Sequence, residues 1–183
     1  AYGGVGDDEA YSIQQTSDGG YIVAGSTNSS GAGDTDFWVL KLDANGNIKW
    51  QKAYGGANFD GAFSIQQTSD GGYIVAGSTR SFGFGTDYSD FWLLKLDANG
   101  NIQWQRKYRG VGDDVAFSIQ QTSDGGYIVA GYTSSFGAGD YDFWVLKLDA
   151  NGNIEWQKAY GGVGDDEAYS IQQTSDGGYI VAG

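Results

Sequence analysis

The chain has 183 residues and a formal net charge of −13, and it contains no His, Cys, Met or Pro. Without His and Cys, the usual zinc, haem-iron and thiol chemistries have no ligands or nucleophiles, and no disulfide framework can form. The negative charge disfavours nucleic acids and anionic membranes as partners, and no apolar run approaches the ~18 residues that a membrane span requires.

A single unit is repeated along the whole chain. The stretch 12–25, SIQQTSDGGYIVAG, occurs four times at spacings of 52, 54 and 52 residues, and residues 1–25 are identical to residues 159–183. The copies begin at Ser12, Ser64, Ser118 and Ser170. A fixed period close to 50 residues indicates a repeat architecture such as a solenoid, a propeller or an array.

The first half of the repeat predicts a β-hairpin. A loop rich in Gly and Asp occupies residues 1–9 and is followed by strand a at 10–16 and strand b at 21–27. The turn Ser17-Asp18-Gly19-Gly20 between them is a strong hairpin signal, because glycine accepts the positive φ of tight turns. Strand b is rich in the β-formers Tyr, Ile and Val. Strand a carries polar residues on one face and is predicted to be the innermost strand.

The second half of the repeat predicts another hairpin, after a loop at 28–34 that is two residues longer in the second copy. Strand c, at 36–42, is apolar on both faces and is therefore covered on both sides. Asn45-Gly46 predicts a two-residue type I′ turn into strand d, at 47–54. Later copies have Gln103 and Glu155 in place of Lys49, so strand d is predicted to be a solvated outer edge.

Four short antiparallel strands, repeated about every fifty residues, are typical of the blades of a β-propeller. A sandwich of unrelated strands would not need such repetition, and a solenoid would have shorter coils. The predicted fold is therefore all-β, built from propeller-type blades. Residues 1–9 form the end of a strand d and its loop, three blades occupy 10–54, 55–108 and 109–160, and a half blade occupies 161–183.

Two motifs resemble those of known propeller repeats. The segment 42–50, LDANGNIKW, is similar to the tryptophan-docking signature of quinoprotein-type propellers, in which an Asp, a turn Gly and a Trp wedge one blade against the next. The segment 54–79 resembles the repeats of secreted bacterial and archaeal propeller proteins of the SBBP-like kind. The resemblance implies a propeller located outside the cell or on its surface. No residue corresponds to a quinone-binding or metal-oxidase site, so it implies no enzymatic activity.

The b–c and d–a loops are expected to emerge on one face of the blades, where they bring together many carboxylates. Such oxygens, with Gly-rich backbone carbonyls, suit Ca²⁺, although aspartates in loops also cap turns. No cofactor other than calcium is expected. The candidate residues are Asp7, Asp8, Asp34, Asp36, Asp60, Asp87, Asp90, Asp113, Asp114, Asp140 and Asp142, with Asp165 and Asp166 in the terminal half blade.

Two tryptophans per repeat are expected to pack blade against blade, because they lie in the middle of strands; sugar stacking is the alternative. They are Trp38, Trp50, Trp92, Trp104, Trp144 and Trp156. The pair Asp7-Asp8 could suggest glycoside hydrolysis, but it recurs in every copy except the second, unlike a single catalytic pair. No catalytic residue is therefore predicted.

Three and a half blades cannot close a ring of the roughly four to eight blades that propellers use. Either the chain is an excerpt of a longer array, or it associates head to tail. We expect a non-catalytic extracellular structural module that self-associates into a multichain ring or filament. The alternative is a propeller that binds a glycan or a surface protein through its acidic loop face. Nucleic-acid binding and membrane insertion are not expected.

Overall fold

The computed structural model describes residues 2–82 and 88–183, and every regular element within these ranges is a β-strand. The strands form three four-stranded antiparallel sheets and one two-stranded sheet. The predicted all-β fold, with three blades and a C-terminal half blade, is confirmed. Within these ranges, no helix has the length and apolarity needed to cross a membrane.

Each sheet follows the order of its strands in the chain. The strands of the first sheet are β1 (Asp8–Gln15), β2 (Tyr21–Thr27), β3 (Asp36–Leu42) and β4 (Ile48–Tyr54). Those of the second are β5 (Asp60–Gln67), β6 (Tyr73–Thr79), β7 (Asp90–Leu96) and β8 (Ile102–Tyr108). Those of the third are β9 (Asp114–Gln121), β10 (Tyr127–Thr133), β11 (Asp142–Leu148) and β12 (Ile154–Tyr160). The terminal hairpin consists of β13 (Ser170–Gln173) and β14 (Tyr179–Ala182).

Strands b and c have the predicted bounds in the first blade, whereas strand a begins two residues earlier than predicted. The shift coincides with a β-bulge after Ala10, which places Tyr11 outside the regular pairing with β2. Gly25 lies opposite the bulge, and a side chain there would come within 1.8 Å of the Glu9 carbonyl oxygen. The bulge therefore requires glycine on the neighbouring strand.

The prediction of a type I′ turn at Asn45-Gly46 is wrong. Such a turn needs positive φ at both central residues, but Gly46 has a φ of +83° while no described non-glycine residue has positive φ. The Gly46 amide donates to the Asp43 carbonyl, and the Asp43 amide donates to the Asn47 carbonyl. The loop thus has three residues and ends in a glycine bulge. Asp43 favours it by accepting hydrogen bonds from the amides of Asn45 and Asn47 through its carboxylate.

The apolar cores lie between blades. Phe37 and Val39 of β3 face the second blade and pack with its Trp92 and Leu94 in a buried cluster. Trp38 and the other alternate residues of β3 face the opposite side of the sheet, so strand c is apolar on both faces, as predicted. The a strands of adjacent blades also contact one another, so they form the inner edge along which the sheets come closest together.

Candidate functional site at the blade junctions

On the outer side of the first two junctions, strand d is fastened to the c–d turn of the next blade, whereas the terminal hairpin at the third junction consists of two strands only. At the first junction the Trp50 indole donates a hydrogen bond of 3.2 Å to the Ala98 carbonyl, and the ring lies edge-on to Tyr73. The Tyr54 hydroxyl donates to the Gly100 carbonyl at 2.6 Å. Gly100 has a φ of +74°, and a side chain there would press against the Trp50 ring at 3.0 Å. A turn glycine therefore serves both the turn and the docking of the preceding blade.

The inner half of each junction is a ladder of side-chain hydrogen bonds between neighbouring strands a. The Gln67 amide donates to the Gln14 side-chain oxygen at 2.6 Å, and the Ile65 amide donates to the Ser12 hydroxyl at 3.2 Å. In return, the Ser17 amide donates to the Gln67 side chain at 2.8 Å. The same three bonds recur at the second and third junctions. These polar residues connect blades, a role that the sequence alone did not assign to them.

An arc of aromatic rings runs along the inner strands at the bulge positions. Its members are Tyr11, Phe63, Phe117 and Tyr169, and successive ring centroids are 5.3, 5.3 and 5.2 Å apart. Tilted rings at this separation attract one another beyond their buried area. Sequence reasoning missed this arc because the bulge was not predicted. The available signal was an aromatic residue before the repeated Ser in every copy.

A buried lysine ties strand c of each blade to the a–b turn of the same blade. Lys41 bonds Asp18 at 2.9 Å, and Lys95 bonds Asp70 at 2.8 Å. Burial raises the pKa of Asp70, but hydrogen bonds from Lys95, Thr68 and the Gly72 amide outweigh this effect and lower it to about 2. The turn is therefore held by an ion pair that persists until the pH is strongly acidic.

The b–c and d–a loops lie side by side and are joined by a hydrogen bond of 3.1 Å from the Asn28 amide to the Asp7 carbonyl. Equivalent bonds link Arg80 to Phe59 and Ser134 to Asp113. The acidic residues of these loops, however, differ in burial. Exposed positions are occupied by Asp7, Asp34 and Asp140, partly buried ones by Asp8 and Asp113, and buried ones by Asp36, Asp60, Asp90, Asp114 and Asp142. Asp87 lies outside the described residues.

Among the residues that the structure describes, no three acidic side chains converge on a common metal position. The buried aspartates instead meet in pairs at the blade junctions. The Asp60 amide donates to the Thr35 carbonyl at 2.7 Å, so the first residue of β5 lies beside the start of β3. Burial, opposed by the Ala32 amide and reinforced by the nearby charge of Asp60, raises the pKa of Asp36. Burial is also the main cause of the raised pKa of Asp114.

The tryptophans of strand c are covered by neighbouring aromatic rings. Trp92 lies 4.5 Å from Phe37 of the preceding blade and 5.2 Å from Phe82 of its own loop, between ring centroids. Trp144 has the same two contacts with Phe91 and Phe136. Trp38 is buried on the free face of the first blade. The strand d tryptophans, Trp50, Trp104 and Trp156, are half-buried and lie edge-on to a tyrosine of the next blade.

The first blade and the terminal hairpin expose surfaces that are buried at the internal junctions. Ile13 of β1 is 65% exposed, whereas the equivalent Ile65 is 5% exposed. Ile180 of β14 is 60% exposed, whereas the equivalent Ile22 is fully buried. Near the start of the chain, the Tyr2 hydroxyl donates to the Gly46 carbonyl, as Tyr54 does to Gly100. Residues 2–4 thus occupy, on the first blade, the position that the end of a preceding strand d would occupy.

A match to a protein family agrees with this architecture. Residues 16–48 and 122–155 match the family described as a domain of unknown function (DUF5122) beta-propeller. The chain is 26% identical over 138 residues to the regulatory protein FlaEY of Caulobacter vibrioides, a match that covers 68% of this chain and 14% of that protein. The crystal structure of Sqt1 from Chaetomium thermophilum aligns with a TM-score of 0.48 and 15% identity, over 93% of this chain and 39% of Sqt1. The family match and the repeated sheets together support a β-propeller-type repeat protein.

Proposed function

We propose that this chain is a non-catalytic structural module whose two blade ends dock onto the ends of other copies, forming a multichain ring or filament outside the cell or on its surface. One observation carries the proposal. The free ends present the two complementary sides of the strand a ladder that the chain already forms three times internally.

The inner ladder supplies the polar part of this complementarity. At the trailing end, Ser170 and Gln172 occupy the positions from which Ser12 and Gln14 accept amide hydrogen bonds. At the leading end, the amides of Ile13 and Gln15 occupy the donor positions of Ile65 and Gln67. These four groups make no such bond within the described part of the chain. A trailing end placed against a leading end would form the ladder again.

The apolar side chains at the two ends of the chain are complementary as well. At the first junction Ile22 of one blade and Ile65 of the next lie in the same buried cluster. Their equivalents at the free ends are Ile180 and Ile13, which are both mostly exposed. Docking would bury them together, and burial of an apolar side chain of this size stabilises an interface by about 1.5–3 kcal/mol.

Residues 2–4 supply a further part of the missing blade. The terminal hairpin provides strands a and b of a fourth blade, and residues 2–4 of another copy would bring the end of a strand d. Each chain occupies four successive blade positions, so two chains would fill eight, within the range of known propellers. If the rotation does not close, the same contact generates a filament.

The remaining parts of the proposal rest on sequence features. The resemblance to secreted propeller repeats supports an extracellular location. A non-catalytic role is supported by the lack of His and Cys and by the repetition of the same acidic residues in several copies. Glycan binding has less support, because Trp92 and Trp144 are buried under neighbouring rings and present no stacking platform.

Light scattering after size-exclusion chromatography, combined with electron microscopy, tests the assembly. We expect a mass that is a multiple of 19.5 kDa, with rings or filaments in the images. Ile13→Lys and Ile180→Lys should each reduce the assembly to monomers, because a charge would have to be buried in the junction.

Ile102→Lys is the matched control, since Ile102 is also exposed but lies on an outer strand d away from the proposed contact. It should leave the mass unchanged. A well-folded wild-type monomer of 19.5 kDa, or dissociation by the Ile102 variant as well, would overturn the proposal.

A further inference from the structure

We propose that the junctions at Gly55 and Gly161 each bind a Ca²⁺ ion between two aspartates from neighbouring blades, and that Arg109 supplies the positive charge in place of the ion at the middle junction. This inference concerns the loop side of the blades and is independent of how the chain ends associate.

The geometry is clearest at the first junction. A side-chain carbon placed on Gly55 would lie 1.8 Å from Oδ1 of Asp36 and 2.6 Å from Oδ2 of Asp60. Two carboxylate oxygens from different blades therefore lie next to Gly55, where any side chain on residue 55 would collide with them. Hard oxygen ligands of this kind are those that Ca²⁺ prefers, with backbone carbonyls and water completing its coordination.

The third junction repeats the arrangement. A side-chain carbon on Gly161 would lie 2.1 Å from Oδ1 of Asp142 and 2.8 Å from Oδ2 of Asp166. As at the first junction, the amide one residue after this glycine donates to the second aspartate of the pair. The same donor pair thus faces the same glycine in two separate places.

A second observation points to a ligand. Asp36 is 2% exposed and Asp142 is 1% exposed, yet Oδ1 of each has no hydrogen-bond partner among the described residues. The same is true of Oδ1 of Asp60 and of Oδ2 of Asp90 at the middle junction. The Oδ2 atoms of Asp36 and Asp142 do accept backbone amides, from Ala32 at 2.6 Å and from Ala138 at 3.0 Å. In Asp36 and Asp142, the unpartnered oxygen is the one that faces the glycine. A buried carboxylate oxygen without a partner carries a large desolvation cost, which a bound cation would offset.

The middle junction differs from the other two because it carries a positively charged side chain at the position of the glycine. Its buried aspartates are Asp90 and Asp114, and the residue equivalent to Gly55 is Arg109. Burial raises the pKa of Asp90, while the positive charges of Arg109 and Lys107 act in the opposite direction. The one copy that lacks the glycine therefore has an arginine at that position, and its positive charge acts on Asp90.

Calcium titration calorimetry on the chelator-treated, dialysed full chain at pH 7 tests the proposal directly. We expect two Ca²⁺ ions per wild-type chain and a thermal unfolding midpoint that rises with CaCl₂ and falls when chelator is added. Both effects should disappear near pH 4, because protonated carboxyl groups are poor ligands.

The chain provides its own variants. Gly55→Arg copies the middle junction and should reduce the stoichiometry to one ion, whereas Arg109→Gly should raise it to three. Asp36→Asn should also lose one ion, and Asp34→Asn, at an exposed loop position, should lose none. Because the two arginine exchanges change the stoichiometry in opposite directions, impaired folding of one variant cannot account for both results.

Three outcomes would overturn the proposal. The first is wild-type protein that neither binds Ca²⁺ nor changes its unfolding midpoint with it. The second is a stoichiometry that the exchanges at residues 55 and 109 leave unchanged. The third is stabilisation by mild acid alone, with no effect of Ca²⁺, which would show that each aspartate pair shares a proton.

Discussion

The Tyr54 hydroxyl donates a 2.6 Å hydrogen bond to the carbonyl oxygen of Gly100, and so fastens the outer strand of the first blade to the c–d turn of the second. Tyr108 makes the same bond to Gly152 at 2.7 Å. Burial is the main reason that the pKa of both tyrosines is raised above its usual value. Together with the strand a ladder on the inner side, this bond fixes the position of one blade against the next at both edges.

Removing this hydroxyl should destabilise the protein. Tyr54→Phe leaves the ring in place but deprives a buried carbonyl of its donor, a loss that costs about 1–3 kcal/mol. Chemical denaturation should show this decrease in the free energy of unfolding. Tyr160→Phe is the matched control, because Tyr160 is 52% exposed and has no hydrogen-bond partner within the described part of the chain. Equal effects of the two substitutions would contradict the assigned role.

The inner ladder allows a similar comparison. Gln66→Ala removes the side-chain oxygen that accepts the Gln121 amide at 2.6 Å, and we expect a loss of about 1 kcal/mol in the free energy of unfolding. Gln172→Ala removes the equivalent side chain on β13, where no further blade of the described structure follows. Measured in the Ile13→Lys background, which we expect to be monomeric, the second substitution should be nearly neutral. A cost at Gln172 equal to that at Gln66 would show that the side chain matters for another reason.

The bulge in strand a predicts a strict need for glycine on strand b. A Cβ at Gly77 would lie 2.0 Å from the Gly61 carbonyl oxygen, so Gly77→Ala must displace the backbone of one of the two strands. We expect a loss of at least about 1–3 kcal/mol, the usual cost of overpacking. Gly164→Ala is the control, since nothing lies within 4 Å of its Cβ position. A Gly77→Ala protein as stable as the control would show that the bulge can relax.

Acid should weaken the lysine–aspartate pairs. The folded-state pKa of Asp70 is lowered to about 2, below the unfolded value of about 3.9. Its contribution to stability is therefore fully present above about pH 4 and is lost as the pH falls towards 2. Urea denaturation between pH 5 and 2 should show this loss, and Asp70→Asn should make it smaller. A pH dependence that Asp70→Asn leaves unchanged would contradict this assignment.

Much of the fold was predictable because the same strand and turn signals recur in each copy of the repeat. The alternation of apolar residues in β3 predicted a strand buried on both faces, and the glycines after Asp18 and Asn45 located the two turns. The exact turn type was not predictable from the Asn-Gly pair alone. The carboxylate of Asp43 accepts the amides of Asn45 and Asn47, which favours a three-residue loop over the two-residue turn.

The sequence by itself determined the strands, their order and the number of blades, because these depend on periodicity and turn chemistry within about fifty residues. Only the tertiary structure decided which groups meet across a junction. The polar face of strand a was visible in the sequence, but not that Ser12 and Gln14 accept hydrogen bonds from the amides of the next strand a. Asp36 and Asp60 were both predicted on the acidic loop face, but only the packing of adjacent blades placed the two beside Gly55. Contacts of this kind depend on the rotation of one sheet relative to the next. That rotation is set by the packing of apolar side chains between blades, and no local sequence pattern encodes it.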